Sequence, residues 1–92
     1  MSKIEDYDWN TLYQKAEEYI QKIVPEAKVR RDVKSINYGR PFVYASFPAK
    51  GHKDQIQEMK MDKNIRFRTN GNENGKRMYH FGIMFSEKGE LE

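Results

Sequence analysis

The apolar and polar positions of this chain follow two different periods. From Asp8 to Val24, the residues Trp9, Leu12, Tyr13, Ala16, Tyr19, Ile20 and Ile23 recur three and four apart. That spacing predicts an amphipathic helix with one continuous apolar stripe. Its three aromatics read as core. Asp8 is placed to cap the helix, and Tyr7 to pair with Leu12 across the cap. Pro25 ends the helix, because the residue before a proline is pushed out of the α region.

After Pro25 the pattern alternates. Lys28–Ile36 and Phe42–Phe47 read as strands around Asn37-Tyr38-Gly39-Arg40-Pro41, where Gly39 supplies the positive φ of a tight turn. Two registers fit. A two-residue loop at Tyr38-Gly39 groups Val29, Val33, Phe42 and Tyr44 on one face. A three-residue loop groups Val33, Val43, Ala45 and Phe47, with Phe42, Tyr44, Lys34 and Ile36 opposite. A one-residue slip inverts every side chain, so both registers stay open. Pro48–Asp54 reads as a loop, and the spacing of Ile56 to Met59 and Lys60 suits a short helix over 54–61.

The segment Asn64–Phe85, NIRFRTNGNENGKRMYHFGIMF, places two alternating runs on either side of a Gly/Asn-rich turn, a strong hairpin signal. A two-residue Asn74-Gly75 loop sets Arg68 opposite Phe81, inside the aromatic row. A three-residue loop, Glu73-Asn74-Gly75, avoids this conflict. It pairs Phe67 with Phe81 and Ile65 with Ile83, extends the core row through Tyr79 and Phe85, and leaves Arg66, Arg68 and His80 on the other face, flanked by Met78 and Met84. The expected fold is α+β, with one long N-terminal helix packed on a four-stranded, mainly antiparallel sheet and a short second helix near 54–61.

Composition narrows the class. Ninety-two residues without a cysteine make one small domain, 1–92, with no disulfide framework and no thiolate metal site. Aromatic residues form 13% of the chain, enough to build a core from few positions. Residues 1–6 and the polar tail 86–92 are expected to fray, and Leu91-Glu92 has the look of a cloning remnant. No apolar run approaches the roughly 20 residues of a membrane span, and MSKIEDYDWN is not a signal peptide. The expected setting is cytoplasmic, with no membrane partner.

Charge is uneven. Residues 1–27 hold three Lys against six Asp or Glu, whereas residues 28–85 hold thirteen Lys or Arg against five. A basic body suits an anionic partner. Arg66, Arg68 and His80 on the hairpin, Lys76 and Arg77 at its turn, Lys50 and Lys53 in the central loop, and Arg30 and Lys34 on the first strand are the candidate nucleic-acid-binding residues. Guanidinium groups hold phosphate in pairs of hydrogen bonds and stack on bases. If Phe42 and Tyr44 share that face, rings for bases join cations for the backbone. Gly82 would let a flat group approach. Lys50-Gly51-His52-Lys53 could hold a phosphate at the start of the second helix.

Other chemistry is thinly supplied. Arg77-Met78-Tyr79-His80-Phe81 departs from the aromatic strand signature of RNA-recognition modules, since Met78 and His80 stand where small residues belong. Two histidines far apart give no metal-ligand spacing, and no cofactor or catalytic motif stands out. The expectation is a small non-enzymatic domain that binds RNA or single-stranded DNA through a cationic sheet face. The alternative is a protein-interaction or inhibitor module, docking a protein partner or self-associating as a dimer. The third is a small ribonuclease-type toxin built on Arg66, Arg68, His80 and Lys53, with His52 as a second imidazole.

Overall fold

The computed structural model describes residues 3–91. After a short turn at Ile4–Asp6 come α1 (Trp9–Gln21), β1 (Lys28–Val29), β2 (Ser35–Asn37), β3 (Arg40–Pro48), α2 (Lys53–Lys60), β4 (Ile65–Glu73) and β5 (Lys76–Met84). The class is α+β, as the two periods predict. Asp8 caps α1 by accepting from the Thr11 amide at 3.4 Å and the Thr11 hydroxyl at 2.8 Å. The stripe Trp9, Leu12, Tyr13, Ala16 and Ile20 is buried. The helix stops at Gln21, and the Val24 amide still reaches the Ile20 carbonyl at 2.8 Å before Pro25.

The sheet has five strands rather than four. β1 and β2 share one edge of β3, which pairs with β5, which pairs with β4; every neighbouring pair is antiparallel. The expected first strand, 28–36, is broken at Arg31–Lys34, where the chain leaves the sheet after Arg30 donates to the Tyr44 carbonyl at 2.7 Å. The excursion settles the open register. The loop is the two-residue Tyr38-Gly39, pairing Asn37 with Arg40 and Ser35 with Phe42, while Val29 pairs with Ala45. Val29, Val43, Ala45 and Phe47 therefore face the helices, and Phe42 and Tyr44 face away. Neither simple register foresees this, because the extra residues between β1 and β2 re-phase the strand.

α1 and α2 lie on one face of the sheet. The core joins Trp9, Ala16, Ile20 and Val24 to Phe47, Met59, Ile65, Phe81, Ile83 and Phe85. α2 carries the chain from β3 past the place of β5 to the far edge strand β4, and Met59 anchors it. Tyr19 Oη donates to Asp62, tying α1 to the end of this crossover. Among the described residues no helix is long and apolar enough to cross a membrane.

The final hairpin corrects the expected register. Its loop is Asn74-Gly75, with φ of 51° and 79°, the paired left-handed geometry that Asn-Gly favours between twisted strands. Glu73 pairs with Lys76, and Thr69 with His80, while Ile65 pairs with Ile83 and Arg66 with Gly82. The two halves differ by one residue, and a β-bulge at Phe67-Arg68 absorbs the difference. Phe67 is therefore not in the core: it is 53% exposed.

The tail, expected to fray, folds back on α1. Tyr7 Oη donates to the Glu87 carbonyl at 2.8 Å and Lys15 Nζ to the Gly89 carbonyl at 3.3 Å. The Ser86 hydroxyl accepts from the Lys88 and Glu90 amides. Leu91 packs against the core, whereas Glu92, Met1 and Ser2 lie outside the described residues.

Candidate functional site

The sheet face turned away from the helices is built from alternate residues of β3, β4 and β5. Phe42 is only 1% exposed yet stands outside the main core. Its cover is local. The Phe67 ring lies 5.0 Å from it, centroid to centroid, and a side chain at Gly82 would meet both the Phe42 and Tyr44 rings at 3.4 Å. The flat groups that approach Gly82 are thus the chain's own rings. Tyr44 Oη stands 3.5 Å from the Ser35 hydroxyl.

At the end of this face lies a cleft of about 400 Å³, lined by Tyr38, Arg40, Phe42, Arg66, Phe67 and Met84. Tyr38 is 90% exposed. Tyr38 and Phe67 have φ of 55° and 56°, a region that bulky L-residues seldom adopt. Both aromatic rings are presented by strained backbone, one at a hairpin tip and one at a bulge. The side chain of Arg66, opposite Gly82, has no hydrogen-bond or ion-pair partner among the described residues, and Arg40 Nε donates to the Phe85 carbonyl at 3.0 Å.

The nine candidate cations do not converge. Arg66 and His80 share the outer face, where His80 stands 3.5 Å from Glu73. Arg68 is on the other side of the bulge, donating to the Ile65 carbonyl at 3.0 Å. It lies near Tyr79, whose hydroxyl is pushed up by burial while the Arg68 charge pulls the other way. Lys76 sits at the turn beside Glu73, in a concavity that also holds Glu26 and Lys28. Lys50, Lys53 and Arg77 line a separate cleft next to α2. Arg30 is paired with Asp32 at 3.1 Å, and Lys34 is exposed where the first strand is broken.

The arrangement expected of a ribonuclease does not assemble as one site. Arg66 and His80 are on the outer face, whereas Lys53 and Arg68 are on the helix side. His52 is occupied as a clamp: Nδ1 faces the Pro48 carbonyl at 2.8 Å and Nε2 the Glu26 carboxylate at 2.6 Å. Among the described residues no three His, Asp or Glu side chains gather as a metal site would require.

Alternation places Phe67 in the core row, because every second residue of a run shares one face, whereas Tyr38 falls in the expected turn and carries no signal of a site. A signal for the bulge was present in the sequence. Asn-Gly demands a two-residue loop, and Ile65 with Ile83 demands a core pairing one residue out of step. Only a bulge between them satisfies both. Comparison with protein-family models, curated proteins and solved structures finds no match.

Proposed function

We propose that this is a non-enzymatic domain that binds single-stranded RNA or DNA in the cytoplasm, through the Tyr38–Phe67 cleft rather than a broad cationic face. The observation that supports it is that two exposed aromatic residues, both held at left-handed φ, line one cleft with Arg66, whose side chain has no ion-pair partner among the described residues. Strained backbone persists where surrounding structure holds it, and it clusters at ligand sites. Aromatic side chains stack on bases without regard to sequence, each worth about 1–3 kcal/mol, and a neighbouring guanidinium serves the phosphate.

The test uses labelled oligonucleotides of ten residues, RNA and DNA, titrated at several salt concentrations. Tyr38→Asn is a clean probe, because Asn-Gly is the preferred pair for this turn and the fold should be kept. Combined with Arg66→Ala, it should weaken binding at least tenfold. Arg66→Ala alone should reduce the slope of log affinity against log salt by about 0.7, the share of one single-strand phosphate contact. Absence of binding by the unaltered protein at low salt would overturn the reading. The same cleft also offers exposed apolar area to a protein, and a dimer by light scattering that Tyr38→Asn dissolves would favour that alternative.

A further inference from the structure

On the helix side of the sheet, far along the hairpin from the aromatic cleft, three cations come together from three elements. Lys50 lies in the β3–α2 loop, Lys53 opens α2, and Arg77 stands on β5. They line one cleft of about 320 Å³ with the carboxamides of Gln57 and Asn70 over Ile56. Among the described residues no carboxylate lines it. Two surface arginines, by contrast, have acids beside them: Arg30 pairs with Asp32 and Arg31 with Glu17, each at 3.1 Å. Lys50, Lys53 and Arg77 have no ion-pair partner among the described residues. Like charges drawn together without an acid repel one another, and an anion between them reverses the sign of that interaction.

The loop that presents Lys50 is held in place. The Ala49 amide donates to the Arg77 carbonyl at 2.9 Å, the His52 amide to the Ala49 carbonyl at 3.2 Å, and the His52 ring is clamped between Pro48 and Glu26. Two lysines as compact charges, one guanidinium fork and two carboxamides form a donor-rich set suited to phosphate oxygens. We propose that this cleft binds a phosphate group. The proposal stands apart from the nucleic-acid reading: its ligand is either a free phosphorylated compound or the phosphodiester backbone of a strand that continues past β4.

The first arm titrates the full chain with sodium pyrophosphate at constant ionic strength, with chloride as the balancing salt, and follows amide shifts by NMR. Saturable shifts should centre on Lys53, Gln57, Asn70 and Arg77. Lys53→Gln with Arg77→Gln should weaken binding at least tenfold, whereas Lys22→Gln with Lys88→Gln, an equal loss of charge elsewhere, should change it less than twofold. Shifts no larger than those from chloride, or equal losses in the two double variants, would overturn the proposal. The second arm asks whether an oligonucleotide displaces pyrophosphate. Displacement identifies a phosphodiester as the source, and retention of pyrophosphate identifies a free phosphorylated ligand. Both outcomes keep the phosphate site, and failure of the oligonucleotide to bind at all would overturn only the nucleic-acid reading.

Discussion

Phe67 has a φ of 56°, where a bulky L-residue carries roughly 1–2 kcal/mol of strain. Against that cost stands one contact, its ring over Phe42 at 5.0 Å. Aromatic pairs of this kind contribute about 0.5–1.5 kcal/mol beyond the area they bury. The strain offsets the ring–ring contribution, which leaves the area of Phe42 that Phe67 covers as the net gain in stability. Phe67→Gly removes both the strain and the ring. Urea denaturation should find the variant about 1–2 kcal/mol less stable than the unaltered protein, through the uncovered area of Phe42, while oligonucleotide affinity falls by at least fivefold. A loss above about 3 kcal/mol would show instead that Phe67 exists to cover Phe42, and the functional reading of the cleft would lose its main support.

At the scale of elements, the docked tail offers the sharpest test. Gly89 has a φ of 77°, and a Cβ there would stand 3.3 Å from Leu12 Cδ2 and 3.8 Å from Tyr7 Cδ1. Gly89→Ala should therefore destabilise the domain by about 1–2 kcal/mol through backbone strain alone. A frayed tail would make the substitution silent, so a thermal or urea midpoint unchanged from the parent would refute the docking. Polar composition concealed this segment, because its hold is made of the Ser86 hydroxyl, carbonyls of Glu87 and Gly89, and a glycine that fits against Leu12. None of these has a periodic signature. α1 was legible because its apolar stripe, its Asp8 cap and Pro25 all agree. α2 was legible in outline from Ile56 and Met59. The hairpins are legible as hairpins, but the register stays open in the first and is misassigned in the last, since each contains an irregularity that period-two reasoning cannot express: the excursion at Arg31–Lys34 and the bulge at Phe67-Arg68. The candidate site inherits that error, and this is why the cations expected on one face divide between two.

For the whole molecule, the distribution of tyrosines sets a limit on its stability in alkali. Tyr13, Tyr19 and Tyr79 each have hydroxyls held above the ordinary tyrosine value of 10.0. Burial is the leading cause in all three. Asp32 adds to it at Tyr13, where Arg31 opposes. The hydrogen bond to Asp62 adds to it at Tyr19, and Arg68 opposes at Tyr79. The sign follows from proton linkage. Above about pH 10 the unfolded chain releases these protons while the folded one retains them, so the folded state binds more protons and stability falls as pH rises. Below the unfolded value both states are protonated, and the contribution is fully present. Urea denaturation between pH 8 and 11.5 should therefore show a plateau, followed by a decline that begins near pH 10. Tyr79→Phe should soften the decline, because Tyr79 Oη is buried with no hydrogen-bond partner among the described residues. The same substitution should also raise stability at pH 8 by about 1 kcal/mol, since it removes an unsatisfied buried hydroxyl. Both proteins carry the same other ionisable groups, so the comparison with Tyr79→Phe isolates the contribution of this hydroxyl. A flat profile to pH 11, or a decline of equal steepness in Tyr79→Phe, would show that these hydroxyls reach solvent and that the face of the sheet under the helices is less closed than the packing of Phe47, Tyr79 and Phe81 indicates.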